Sequence, residues 1–376
     1  MGNLGAAAVA LTAELVGIDS VNPGLVPGAA GEAAIVQLLL QRLERAGFET
    51  HVIEANDGPG RPSLVAAAPD RGSGPTVVLN GHLDTVGVEG VPGPFTPRYD
   101  GDRMIGRGTA DMKAGVAAMV AAAEALLAGT APVRPVLALV ADEEDASRGS
   151  EAVIAALPGL GIQPDVCLVG EPTDLSLARS LRGFAVVRVR FAGRAAHSSQ
   201  PEHGRNAVSL MSRFVRDVDQ RAAEIRATGG DLMVTVARGG DSPFVVPASA
   251  ECVVERRTVP GESAREALDE VRALLGTGTD ATAELEAHRE AWRLDDDGAA
   301  ADLAARLATA MGTEATLDAP YWMEAPLWQA VCPTVVCGPS GGGLHAVDEW
   351  VDLAQVRRFA ETLPDVLVAW AAAHGH

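Results

Sequence analysis

Apolar residues recur at helical spacing over residues 4–18 and 30–46, where Ile35, Leu38, Leu39 and Leu43 share one side and Gly47 is a natural stop. Short aliphatic and β-branched runs then predict strands at 49–54, 63–68 and 76–80. The last of these, Val77-Val78-Leu79-Asn80, has the continuous apolar character of a buried, parallel strand and is closed by Gly81. Residues 87–97 are dense in glycine and proline and predict a loop. A helix is expected over 112–127, with Val116, Met119, Val120, Ala123 and Leu127 at helical period. A strand at 136–140 follows, then a helix at 149–157 and a strand at 165–169. Strands alternating with helices predict a doubly wound α/β sheet.

Near Ser180 the texture changes. Val187-Arg188-Val189-Arg190-Phe191 alternates apolar and charged residues, as in a sheet with one wet face. An amphipathic helix over 206–226, strands at 232–237 and 250–258, a helix at 263–275 and a strand near 282–288 complete a β-α-β-β-α-β order. That order is ferredoxin-like. The α/β pattern resumes with a helix at 299–310, a strand at 334–337 and a closing helix at 353–373. The expected fold is therefore α/β with a mixed, doubly wound sheet (residues 1–178 and 290–376), interrupted by an inserted α+β domain at 179–289.

Composition narrows the field of functions. A chain of 376 residues with 47% hydrophobic content can build two cores. Fifty acidic against thirty basic residues give a net charge of −20, which argues against nucleic acid or an anionic membrane as partner. The four cysteines (Cys167, Cys252, Cys332, Cys337) are spread thinly and read as buried free thiols of a reducing compartment. The first sixteen residues lack the basic start of a signal peptide, and no apolar run approaches a membrane span, so a cytoplasmic protein is expected.

Five positions carry a carboxylate or imidazole where core packing needs neither, just past a strand or in a glycine-rich loop. They are His82 in Gly81-His82-Leu83-Asp84, Asp111 in Gly106-Arg107-Gly108-Thr109-Ala110-Asp111-Met112-Lys113, the acids of Asp142-Glu143-Glu144-Asp145, Glu171 in Gly170-Glu171-Pro172, and His345 after Gly341-Gly342-Gly343-Leu344. Such positions lie at the carboxyl edge of an α/β sheet, where sites form. Two histidines and three carboxylates suit a pair of zinc ions sharing one carboxylate, with cobalt or manganese as substitutes. Such a pair can polarise a carbonyl and supply hydroxide near neutral pH. His51, His203, His288, His374 and His376 have no such context and read as structural or solvent-facing.

Together with Gly170-Glu171-Pro172-Thr173 and Arg194-Ala195-Ala196-His197-Ser198-Ser199-Gln200-Pro201, these motifs resemble, in order and over nearly the whole chain, the co-catalytic zinc metallopeptidases and aminoacylases. That family includes acetylornithine deacetylase, succinyl-diaminopimelate desuccinylase and the glutamate carboxypeptidases. The resemblance implies that His82 and Glu171 bind one metal, that Glu144 and His345 bind the other, and that Asp111 bridges. Asp84 would orient His82, Glu143 would act as general base on a bridging hydroxide, and the Asp111-Met112 peptide would be cis. It implies further that the inserted domain is a lid and dimerisation domain, that His197 reaches across a homodimer interface to stabilise the oxyanion, and that Asn206 and Arg257 bind a substrate carboxylate. Arg256 is the alternative to Arg257.

Glu324-Ala325-Pro326, Cys332-Pro333-Thr334 and Asp348-Glu349-Trp350 are similar to the acetylornithine deacetylase branch. The expected activity is removal of a small acyl group from an N-acyl amino acid. A carboxypeptidase or dipeptidase, or a desuccinylase on the same scaffold, is the alternative.

Overall fold

The computed structural model describes residues 4–55, 60–70, 72, 74–130, 132–276 and 279–375. It divides the chain into two compact units: Met1–Arg179 with Leu294–Leu317 and Met323–His376, and Ser180–Arg293 with Asp318–Trp322. The second unit takes Asp318–Trp322 from the stretch expected in the flanking domain. The reason is aromatic: Trp322 meets Phe184 edge-on, and the Arg289 guanidinium lies over the Trp322 ring.

The first unit is built on a six-stranded mixed sheet. Its order is Glu49–Glu54, Pro62–Ala67, Arg134–Val140, Thr76–His82, Val166–Val169 and Thr334–Val336. The first three strands pair antiparallel and the last four parallel. The three inner parallel strands are buried along nearly their whole length, as their unbroken apolar runs require. Helix Ala114–Ala128, alanine-rich and buried on most sides, packs against Leu4–Val16 and Leu353–His374. Its small residues allow close approach: a Cβ on Gly115 would stand 2.1 Å from the carbonyl oxygen of Gly170. The helix start is thereby pressed onto the end of Val166–Val169, where Glu171 follows. Between Gly108 and Ala114 the chain is not regular helix, and the Asp111-Met112 peptide is cis, as expected.

A four-stranded sheet, absent from the sequence reading, runs Gly341–Gly342, Trp350–Asp352, Arg103–Ile105, Arg98–Asp100. Strands of two or three residues leave no period to detect. This sheet fixes both ends of the loop that carries His345.

The second unit is a four-stranded antiparallel sheet in the order Asp231–Gly239, Ser249–Thr258, Gly183–Ala192, Ala281–Arg289, with helices Ala207–Ala227 and Ala264–Leu275. In chain order the strands lie 2-3-1-4, which is the ferredoxin-like arrangement. Val187, Val189 and Phe191 join Met211, Phe214, Val218 and Val254 in its core. Ser263 and Glu266 form a reciprocal capping box at the start of the second helix. Among the described residues no helix is long and apolar enough to cross a membrane.

Candidate metal centre

Asp111 stands at the middle of the acidic cluster in the first unit. Its Oδ1 lies 3.0 Å from His82 Nε2 and its Oδ2 lies 3.2 Å from His345 Nε2. Glu171 Oε1 is 3.8 Å from His82 Nε2, and Glu144 Oε2 is 3.1 Å from His345 Nε2. The five sequence-predicted positions thus lie together, His82 and Glu171 on one side of the Asp111 carboxylate and His345 and Glu144 on the other. Donor atoms on a tetrahedral zinc with bonds of roughly 2.0–2.1 Å stand roughly 3.3 Å apart, so the donor set has the right chemistry and spacing for a divalent pair.

The electrostatics ask for cations. Burial, then the neighbouring Glu171 carboxylate, pushes Glu143 well above the usual carboxylate range, and burial does the same to Glu171. Glu144 is raised by burial and by Asp111. Burial works against ionisation of Asp111, yet hydrogen bonds to His345 and His82 hold it low. Hydrogen bonds to Asp111 and Glu144 push His345 up to about 10. For His82 burial is outweighed by Asp111, Glu171 and Glu143, and its pKa rises well above normal. The cluster therefore retains protons that a divalent ion would displace.

The side chains are held from behind. His82 closes the strand Thr76–His82, and a Cβ on the preceding Gly81 would strike Met112 and Val116. The Asp84 carboxylate was expected to orient His82. Its carboxylate lies 3.7 Å from His82 Nδ1, whereas the Asp84 backbone carbonyl lies 3.0 Å away and accepts from the ring. The carboxylate instead accepts the backbone N–H groups of Glu143 (3.1 Å) and Glu144 (3.2 Å) and the amide of Asn22 (2.7 Å). The strand ends before Asp84, so the simple i, i+2 alternation no longer applies.

Were the strand Arg134–Val140 continued in extended form, Glu143 and Glu144 would face opposite sides. They lie in a turn, entered through left-handed Asp142 (φ 69°), and both face the cluster. Ligand atoms of His82, Glu143 and Glu171 fall within 4.8 Å of one another, as do those of His82, Asp111 and Glu144.

Several residues that sequence reasoning passed over complete the frame. Glu349 Oε1 accepts from the backbone of Ala110 (2.9 Å) and Asp111 (3.1 Å); Oε2 accepts from Gly108 N (2.9 Å) and Arg107 Nη1 (2.7 Å). Arg107 also donates to the carbonyl of Ala346 (3.0 Å), tying the His345 loop to the Asp111 loop. Buried Lys113 donates to the Ile18 carbonyl at 2.9 Å. Burial pushes Glu324 up to about 8, against the opposing pull of Ser150, His82 and Asn80. Their partners are remote in sequence, so only a carboxylate or a cation inside an otherwise apolar stretch could have pointed to them.

The remaining candidates lie in the second unit. His197 is exposed, and its Nδ1 accepts the backbone N–H of Ser199 at 3.2 Å. That contact leaves the ring hydrogen of the neutral form on Nε2. Asn206 caps the helix Ala207–Ala227, its Oδ1 accepting from Ser209 N at 3.0 Å. Arg257 is half-buried beside Glu255 (2.6 Å) and over the Phe184 ring. Arg256 is buried and paired with Glu262 and Glu270, both at 2.9 Å, so its charge is already matched. Outside these sets, His374 meets Asp302 at 3.1 Å and stacks on Trp370. His376 lies outside the described residues.

Residues 78–369 match the model of peptidase family M20/M25/M40. The chain belongs to this family. It is accordingly a hydrolase of amide bonds, and the M20 family is metal-dependent. It is similar to a succinyl-diaminopimelate desuccinylase of Dinoroseobacter shibae, 32% identical over 375 residues, covering 93% of this chain and 95% of the relative. It is also similar to an acetylornithine deacetylase of Proteus mirabilis, 27% identical over 351 residues and covering 89% of each. A tripeptidase of Staphylococcus aureus shares the fold, with a TM-score of 0.81 at 19% identity over 98% of this M20 chain and 99% of the other.

Proposed function

We propose that this M20 enzyme removes a small acyl group from an N-acyl amino acid, using two divalent ions held by His82 and Glu171 on one side, His345 and Glu144 on the other, and Asp111 between. The observation that carries the reading is the Asp111 carboxylate, one oxygen against each histidine. The bound ions would polarise the amide carbonyl and make water nucleophilic near neutral pH. Glu143 takes the proton of the attacking water and returns it to the departing amine. Its burial next to Glu171 supports a raised pKa suited to both transfers. The Nε2–H of exposed His197 supports a donor for the developing oxyanion. The half-buried guanidinium of Arg257 suits the free carboxylate of the substrate, with Asn206 beside it in role. Exposed Phe244 and Val245, on the segment paired with His197, support a homodimer interface in the inserted unit.

Zinc is the metal proposed, with cobalt or manganese as substitutes. Acetylated amino acids, N-acetylornithine first, are the leading substrates. The higher identity to a desuccinylase favours a second reading in which the acyl group is succinyl. Elemental analysis together with a panel of N-acetyl and N-succinyl amino acids and free dipeptides tests the proposal. Turnover of dipeptides alone would replace it with a peptidase, and metal-independent turnover would end it.

A further inference from the structure

Behind the acidic turn lies a chain of buried polar groups that no catalytic role yet uses. Asn22 is fully buried. Its Oδ1 accepts the backbone N–H of Gly24 at 2.8 Å, which fixes the amide's orientation. The two amide hydrogens must then face the two carboxylates beside them: Asp84 Oδ2 at 2.7 Å and Asp142 Oδ1 at 3.2 Å. Asp84 in turn receives the backbone N–H groups of Glu143 and Glu144. Asp142, the left-handed residue that starts the turn, is also held by Arg61 Nη1 at 2.9 Å, and Arg61 binds Glu32 through two further hydrogen bonds.

Resting on the metal-site reading above, we propose that Asn22 is a positioning residue for the reaction: its amide locks two carboxylates together and so sets where Glu143 and Glu144 stand. The chemistry explains the residue type. A carboxylate at position 22 would place a third negative charge between two buried ones, and an aliphatic side chain would leave both acids short of a donor. An amide supplies two donors to the acids and one acceptor to Gly24 without adding charge. Glu144 belongs to the His345 half-site, so a loosened turn should weaken that half-site more than the His82–Glu171 half-site, whose ligands lie on the strand end and beyond Gly170.

Asn22→Asp keeps the acceptor and removes both donors, and Asn22→Ser serves if the first does not fold. Each is compared with wild type by calorimetric titration of metal-stripped protein with Co(II) alone, and by kcat and KM of the zinc-loaded enzyme. The expected result is a fall of about 10- to 100-fold in kcat with KM little changed, and about tenfold weaker binding of one of two cobalt equivalents, as outer-shell partners of metal sites usually show. Unchanged cobalt constants and kcat in a folded variant would overturn the proposal. Equal weakening of both equivalents with a lowered Tm would also overturn it, because it would mark general destabilisation. Glu143→Gln is assayed alongside. Full activity there would refute the general-base role of Glu143, while the cobalt constants would still decide Asn22.

Discussion

Truncating Glu349 to alanine should damage the protein more than any surface acid would. The carboxylate is buried and accepts from three backbone N–H groups and from the Arg107 guanidinium, which is itself 2% exposed. Removing it leaves a buried positive charge without its counter-charge, which costs about 3–5 kcal/mol. Each stranded backbone donor adds about 1–3 kcal/mol in principle. These terms overlap, because water entering the space left behind would satisfy several donors at once, so the expected loss stays at about 3–5 kcal/mol. In a unit of this size that lowers Tm by roughly 8–15 °C, read by scanning calorimetry on metal-stripped protein so that ion binding does not mask it. Glu349→Gln keeps one oxygen for Ala110 and Asp111 but sets an NH2 donor against Gly108 N–H and Arg107 Nη1, so it should recover only part of the loss seen in Glu349→Ala. In the zinc-loaded enzyme both variants should lose activity through displacement of Asp111. An alanine variant melting within about 2 °C of wild type would refute the reasoning, since it would mean the Arg107 charge is not desolvated.

Stripping the metals with a chelator should lower Tm, and restoring zinc at a hundred times its dissociation constant should return about 2.7 kcal/mol per site; an unaltered melting curve in chelator would contradict the two half-sites. Asn206→Asp retains the helix cap, so stability should hold, whereas loss of the amide hydrogens should raise KM if Asn206 helps bind a substrate carboxylate; equal KM for both proteins would leave Asn206 a cap alone. Burial raises the thiols above their ordinary 9.0, to about 11 for Cys252 and about 12 for Cys332 and Cys337. The unfolded chain therefore loses these protons first, and their contribution to stability, complete below pH 9, should drain away as pH rises toward the folded values. Denaturant midpoints at pH 8 and pH 10, with Cys332→Ala as the control for slope, measure this.

The proposed ligands were readable because each is a polar residue just past an apolar run or in a glycine-rich loop, where packing gives it no reason to be. The supports were not. Asn22 reaches Asp84 across 62 residues and Asp142 across 120, and Arg107 reaches Glu349 across 242, distances over which no local period carries information. Asp84 shows the limit in small. The resemblance implies that its carboxylate orients His82, but the strand stops at His82, the chain turns, and the backbone carbonyl faces the ring while the carboxylate takes the N–H groups of the acidic turn. The same change of direction after Val140 puts Glu143 and Glu144 in a turn rather than on alternating faces. In the inserted unit the alternating strands gave the topology, whereas the pairing of Arg256 with Glu262 and Glu270 follows from packing that no local pattern announces.

His345 and Glu349 reach the cluster from beyond the insertion, after the other four acids and His82 have already been made. On the ribosome, a nascent chain that has emerged only through the inserted unit carries a concentrated patch of buried acid with half its histidines missing. In the proposed site, hydrolytic competence thus waits on a segment made after the whole inserted unit, and a chain ended before His345 would lack one of its two histidines.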